Sequence, residues 1–443
     1  MLELLEQVRE AGVVGAGGAG FPTHVKLNAQ AEYILLNGAE CEPLLRVDQQ
    51  LMALYPNEII KGFEAAGRLV GAKQAIMGVK GKHKEVIKIL EAAIVALQLQ
   101  DFVKVQALED VYPAGDEQIL VYELTGKVVP EGGIPLNVGC VVVNSETALN
   151  IYKASLGEAV TETYITVAGD VPHPLTCKVP VGTPILDVLK TSGIEDFEGY
   201  TIIDGGPMMG PLLKDLNGVV TKKDKGYIIL RQDHMLIQKK GVTYDQAKKV
   251  NKASCEQCRM CTDLCPRYLI GHNLQPHKVI RGLNYTLSEL AKGGNPQLCC
   301  QCNLCELFAC PAGIYPKTAN MIARQTLEAE GYRYKPTETV FQVRSSRDYR
   351  LVPSKRLVAR LGLSHYDQPA PMQSIAFQPE SVRIATRQHV GAPAVPSVKV
   401  GDKVEKGQLI GTIPEKSLGA TIHASITGTV TDVSDAFVVI RRD

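Results

Sequence analysis

Nine of the 12 cysteines fall between Cys255 and Cys310, and no other feature of this sequence limits its fold so sharply. The first run reads Cys255-x2-Cys258-x2-Cys261-x3-Cys265-Pro266, the bacterial ferredoxin spacing at every position. Two-residue gaps let one loop wrap three thiolates around three corners of a cubane, and the fourth Cys, followed by Pro, is carried to a neighbouring cluster. A second run, Cys299-x2-Cys302-x2-Cys305-x4-Cys310-Pro311, has one extra residue in its last gap. Two [4Fe–4S] clusters are therefore expected, one on Cys255, Cys258, Cys261 and Cys310, the other on Cys299, Cys302, Cys305 and Cys265. Cys300 is the alternative to Cys299, although Cys300-x-Cys302 is tight for the usual wrap. Structural zinc is the rival, but zinc sites use two separated Cys pairs, not three consecutive two-residue spacings. Cys41, Cys140 and Cys177 lie outside the runs and read as buried small hydrophobes.

A chain of 443 residues leaves room for roughly three domains. Lys+Arg is 48 and Asp+Glu 47, so the basic excess of a nucleic-acid binder is missing. No apolar run approaches the ~18 residues of a membrane span. The opening LELLEQVRE has neither the charged start nor the apolar core of a signal peptide. The expected compartment is the cytosol, where cysteines stay reduced and available as ligands.

Segment types alternate over the first ~150 residues as in an α/β domain. Leu2 to Ala11, Asn57 to Val70 and Lys84 to Leu99 have helical spacing, while Tyr33–Leu36, Ala75–Val79 and Val138–Val143 read as strands. From Glu162 to Arg231 the texture resembles a β-grasp module, with a strand at Tyr164–Ala168 and a helix over Thr183–Leu189. Thr183 is the expected N-cap of that helix. The cysteine block lies on helical segments, a polar connector follows, and the tail from Val390 shows short strands suited to a small barrel or sandwich.

Gly15-Ala-Gly17-Gly18-Ala-Gly20 contains G-x-G-x-x-G, but a dinucleotide fold needs a full strand before the loop and a helix directly after it. Here a helix precedes it and Phe21-Pro22 follows. A merely structural turn is one alternative, since so many glycines leave the backbone open to close approach. The better reading is a loop whose N–H groups meet a phosphate or a flat ring, with Lys26 as counter-charge. Asn37-Gly-Ala-Glu40-Cys-Glu42-Pro43 and Asn144-Ser-Glu146-Thr147 place polar groups just past strand ends, where α/β sheets converge on a ligand.

The stretch Gly15 to Lys26, taken with Asn37 to Pro43, resembles the flavin- and NADH-binding subunit of respiratory complex I, and more closely the C subunit of the Rnf electron-transport complex. The tail from Gly391 to Gly407 is similar to the barrel-sandwich hybrid domain of that Rnf subunit, where it stands at the N-terminus. Its C-terminal position here resembles the cobalamin reductase family of propanediol-utilisation microcompartments. The resemblance implies a multidomain α/β and α+β chain in five parts: a complex I flavin-subunit-like FMN and NADH domain (1–158), an SLBB β-grasp domain (159–240), a helical ferredoxin-like domain with two [4Fe–4S] clusters (245–332), a connector (333–387) and a C-terminal barrel-sandwich hybrid (388–443). It implies FMN on Gly15, Gly17 and Gly18, with Lys26, Asn37, Glu40 and Asn144 nearby and Thr147 close to the phosphate. NADH would lie across the flavin, with Phe21 as a stacking surface and Glu42 near its ribose or amide. Tyr112, Gly115, Asp116 and Glu117 match a segment that lines the same pocket. The complex I pattern has Arg at Ala16 and Asp at Ala39, differences that bear on the choice between NADH and NADPH. A lipoyl or biotinyl carrier would need a Lys at the tip His423–Gly428, where there is none.

The function implied is an electron wire from NADH through FMN and the two clusters, the first run's taken first, to the cobalt of cobalamin, for coenzyme recycling. No side-chain acid or base is required for hydride transfer. Implied partners are a corrin carrier such as an adenosyltransferase and microcompartment shell proteins. Two rivals stand beside it: an Rnf-type or amino-acid-reductase subunit that reduces a protein, and a non-catalytic iron–sulfur scaffold. His173, Cys177, His272 and His277 are weak candidates for contact with cobalt.

Overall fold

Alternating residues of β1 (Tyr33–Gly38) point to opposite faces, Ile34 and Leu36 to one and Leu35 to the other, and all three are buried. A strand of that kind needs cover on both sides, which a parallel sheet between helices provides. In the computed structural model, which describes residues 2–285, 292–336 and 340–443, β1 pairs in parallel with β2 (Gln74–Lys80), and β2 with β3 (Val103–Leu108). β4 (Val111–Tyr112) leaves this sheet and pairs with Val352–Pro353. β5 (Cys140–Asn144) returns to the other side of β1, giving the order β3-β2-β1-β5. The winding direction reverses between β1 and β5, and the crevice at their carboxyl ends is where such sheets hold ligands.

Helices Pro56–Leu69, Lys84–Ala96 and Ser145–Ser155 cover one face through Ile59, Phe63, Leu90 and Leu149. Helix Glu117–Thr125 covers the other through Leu120 and Leu124. The strand expected from Val138 begins only at Cys140, because Pro135–Val138 closes a 3-10 turn.

The second module is a sheet of β6 (Glu162–Gly169), β7 (Leu175–Pro180), β8 (Tyr200–Asp204) and β9 (Gly226–Arg231), with Met372–Gln373 added beyond β7. One helix crosses it, Ile185–Lys190. Thr183 does not cap that helix: its hydroxyl donates to the Pro180 carbonyl at 2.8 Å, and Pro184 takes the cap position.

Helices Tyr244–Ser254, Pro276–Tyr285 and Pro316–Ala329 frame the cysteine loops. The expected ferredoxin-like and connector segments each include a few residues outside the described set, at 286–291 and 337–339. Far from hanging free, the connector sends Val352–Pro353 to β4 and Met372–Gln373 to β7. Its strand Ser381–Ala385 pairs with Phe437–Arg441 in the tail. The tail is a pair of small sheets around Val382, Ile410, Val430 and Ile440. Its stretch around His423 to Ile426 is buried and not a projecting tip; Ser425 donates to the Val181 carbonyl of the second module. Lys222 also anchors the tail, donating to the carbonyls of Gly12 and Thr421 at 2.9 Å each. No described helix is long and apolar enough to cross a membrane.

Candidate functional site

The glycine loop lies at the carboxyl ends of β1 and β5. Gly17 and Gly20 have φ of +75° and +70°, a region that side-chain-bearing residues rarely enter, and the space over Gly18 is open. The Ala16 N–H donates to the Thr147 hydroxyl at 3.1 Å, tying the loop to the start of helix Ser145–Ser155. Asn144 caps that helix by accepting from Glu146 N, and its amide donates to both carboxylate oxygens of Asp48. Asn37 donates to the Gly115 carbonyl at 2.8 Å, and Lys26 to Glu117 and to the Val142 carbonyl. Phe21, half-buried, closes the loop, its carbonyl accepting from Gly15 N. Gly15, Gly17, Gly18, Phe21, Lys26, Asn37, Glu40, Gly115, Glu117, Asn144 and Thr147 are thus drawn to one edge. That edge suits a flat ring bearing a phosphate: it offers bare glycine backbone, a lysine and a helix start. The Ser145 hydroxyl there is buried and has no hydrogen-bond partner among the described residues.

Glu40 has a left-handed backbone, φ +35°, that aims its carboxylate at the first turn of helix Val47–Leu54, where it accepts from Asp48 N and Gln49 N. Burial, reinforced by Asp48, pushes this carboxyl up to about 7. Two residues of the network carry no recognisable signal in the sequence. Lys225, from the second module, runs along Gly17 and donates to Glu146 at 2.6 Å, with Asp48 at 3.4 Å. Asp48 itself gives no local signal, being one acid in a helix's first turn.

The side chains of Glu42, Tyr112 and Asp116 take partners outside this cluster. Glu42 accepts from the N–H groups of Met208 and Met209, and Gly206 presses against it so closely that no side chain would fit. Burial pushes its carboxyl up. The Tyr112 hydroxyl donates to the Cys302 carbonyl at 2.7 Å. Asp116 caps helix Glu117–Thr125 and pairs with Arg267 at 2.9 Å, both side chains being largely buried.

The two cysteine runs fold alike. Gln257 and Arg259 flank Cys258 with φ of +53° and +67°, and Gln301 and Asn303 flank Cys302 with φ of +61° and +67°. That register aligns Cys299, not Cys300, with Cys255. The extra residue of the second run is absorbed in a π-helical turn, Cys305–Ala309. Cys310 then reaches the extended conformation that Cys265 has, φ −75° and ψ 114° against −70° and 121°, each before a proline. Cys255, Cys258, Cys261 and Cys310 line one cavity. Cys265 lies near Cys299 and Cys300, and Cys305 near Cys299 and Cys265. Burial among other thiols pushes Cys261 and Cys299 up to about 12, so these sulfurs ionise only where a bound cation offsets the cost. Among the described residues no group of three or more His, Cys, Asp or Glu is gathered for a single metal ion. A cubane makes no such demand, because each thiolate takes its own iron at a separate corner. Gln257 donates to the Cys255 sulfur at 3.1 Å, the kind of bond that tunes a cluster's potential. Cys140 and Cys177 are buried and Cys41 half-buried. His272 is held by the Val129 carbonyl and His277 by the Thr262 hydroxyl, while His173 is exposed.

A flavin-type crevice and two ferredoxin-type cysteine runs in one chain define a flavin- and iron–sulfur-dependent oxidoreductase. Three family models match: the Nuo51 FMN-binding domain over residues 8–153, a 4Fe-4S dicluster domain over 254–315 and the RnfC barrel sandwich hybrid domain over 365–442. The cobalamin reductase PduS of Salmonella typhimurium is 42% identical over 99% of this chain and 96% of its own length, and that of Citrobacter freundii 41% identical over the same shares. The chain belongs to the PduS cobalamin reductase family. One component of the Na(+)-translocating ferredoxin:NAD(+) oxidoreductase complex of Acetobacterium woodii is 33% identical over 60% of this chain and 58% of its own length. Among solved structures, an NAD+-reducing [NiFe]-hydrogenase in the H2-reduced state aligns at 21% identity and a TM-score of 0.48, over 76% of this chain and 69% of that one.

Proposed function

We propose that this protein oxidises NADH and delivers the electrons to the cobalt of cobalamin, serving coenzyme recycling in propanediol utilisation. The observation that carries this reading is the match to cobalamin reductases along 99% of the chain, cleft and cysteine runs included. FMN, when bound, accepts a hydride and releases electrons singly to iron–sulfur clusters. The chain's own part is to place and shield. Gly15, Gly17 and Gly18 offer backbone N–H groups and room for close approach; Thr147 and Lys26 would receive the phosphate, and Asn37, Glu40 and Asn144 would meet the ring. Phe21 is a surface for the nicotinamide. Glu42, Tyr112, Gly115 and Asp116 form the wall between the cleft and the cysteine region, with Glu117 holding Lys26. Cys255, Cys258, Cys261 and Cys310 hold one cluster; Cys265, Cys299, Cys302 and Cys305 hold the other.

The second module is an SLBB-type β-grasp, within domain bounds of 1–158, 159–240, 245–332, 333–387 and 388–443. On this reading the protein resides in the cytoplasm, in or on a bacterial microcompartment, with an adenosyltransferase and shell proteins as partners, a placement that the kinship with cobalamin reductases supports. The test is anaerobic: protein carrying flavin and iron is mixed with NADH and aquacobalamin, and the cobalamin spectrum is followed against a free-flavin control. Reduction above the control is expected. A rate equal to the control, alongside reduction of an added protein acceptor, would replace the corrin reading with that of a protein-reducing subunit.

A further inference from the structure

The two cysteine sites differ in what they touch. The second-run site is built into the wall of the flavin module. Tyr112 donates to the Cys302 carbonyl, and Arg267, two residues past Cys265, pairs with Asp116. Asn303, beside Cys302, donates to the Met208 carbonyl at 3.0 Å, on the loop whose N–H groups hold Glu42. Leu264, Pro266 and Leu304, neighbours of Cys265 and Cys305, pack against Tyr112, Ala114 and Ile119 around one cavity.

The first-run site faces elsewhere. Cys258 and Arg259 are exposed, and Cys255 receives its bond from Gln257, which also donates to His277 in the same region. The loop after Cys310 is held by Lys239, which donates to the Gly313 and Ile314 carbonyls. Electron transfer weakens steeply with distance, so the site packed against the flavin wall must come first. We infer that the thiolates of Cys265, Cys299, Cys302 and Cys305 hold the entry cluster and those of Cys255, Cys258, Cys261 and Cys310 the exit cluster. The route therefore runs opposite to the order of the two runs along the chain.

The inference rests on the NADH-driven reading above. Each NADH oxidised yields NAD+, a proton to solvent and two electrons, which cross one at a time from the flavin to the entry site, then to the exit site and the external acceptor. The experiment uses the full chain, reconstituted anaerobically with FMN and iron, and reads cluster reduction by electron paramagnetic resonance. Cys305→Ser and Cys258→Ser should each lower iron from about eight to about four atoms per chain. Excess NADH should then reduce the remaining cluster of Cys258→Ser as fully as dithionite does. In Cys305→Ser it should leave the remaining cluster oxidised, although dithionite reduces it. The opposite pattern overturns the inference. If a variant keeps its cluster through the serine oxygen, its changed signal marks which spectrum belongs to which run, and freeze-quench then reads which is reduced first. The Cys305→Ser-marked signal should lead; a lead by the Cys258→Ser-marked signal overturns the order. NADH reducing neither cluster of the unaltered protein would sink the order and the function together.

Discussion

At Glu40 a strained backbone and a buried carboxyl meet. The φ of +35° serves one end, carrying the carboxylate to the N-terminus of helix Val47–Leu54. Its carboxyl stands at about 7 in the fold against an ordinary 4.5. Between those values the folded protein keeps a proton that the unfolded chain releases, so stability falls as pH rises through that window. Glu40→Gln should flatten the fall, which is on the order of 1–3 kcal/mol, in urea melts run at pH 5 and pH 8. Residues such as Asn37, Glu40, Asn144 and Thr147 were legible because each stands at or just past the end of an apolar strand, and so at the carboxyl edge of a sheet. Lys225 was not. It stands in Lys222-Lys223-Asp224-Lys225, which reads as a solvated charge run until tertiary packing buries it beside Glu146.

Among the elements, helices Pro56–Leu69 and Ser145–Ser155 cross at Gly62, where an added Cβ would overlap the Ala148 carbonyl oxygen. Gly62→Ala should destabilise the protein by about 1–3 kcal/mol, because two close-packed backbones must part. Helix Ser145–Ser155 begins at the flavin crevice, so the same variant should bind FMN more weakly, as fluorescence titration of the apoprotein would show. Helix spacing is plain in the sequence at Asn57–Val70, but the pairing of β3, β7 and β9 is not readable from their own residues. That pairing depends on neighbours far along the chain, such as Thr166 opposite Gly226. The four-residue gap before Cys310 looks like a flaw in the motif. A π turn makes it harmless, and nothing local announces that turn.

At the scale of the whole molecule, the modules are joined by buried polar bonds as well as by apolar packing. Asp116→Ala would strip the cap from helix Glu117–Thr125 and leave the Arg267 guanidinium buried without its partner. Breaking such a pair typically costs about 3–5 kcal/mol, so the thermal transition should drop by several degrees, read by calorimetry of the iron-loaded protein. The succession of flavin, iron–sulfur and barrel-sandwich segments was legible from motifs. How the parts interlock was not, because the connector's short strands carry too few residues to show alternation.

Those strands have a practical consequence. Residues 352–353 and 372–373 stitch the later chain into sheets begun some two hundred residues earlier. A fragment that stops before residue 350 would bare the rims of β4 and β7, and unpaired rims of that kind recruit other chains. Anyone dissecting this protein should therefore silence a part by point substitution and leave the seams sewn.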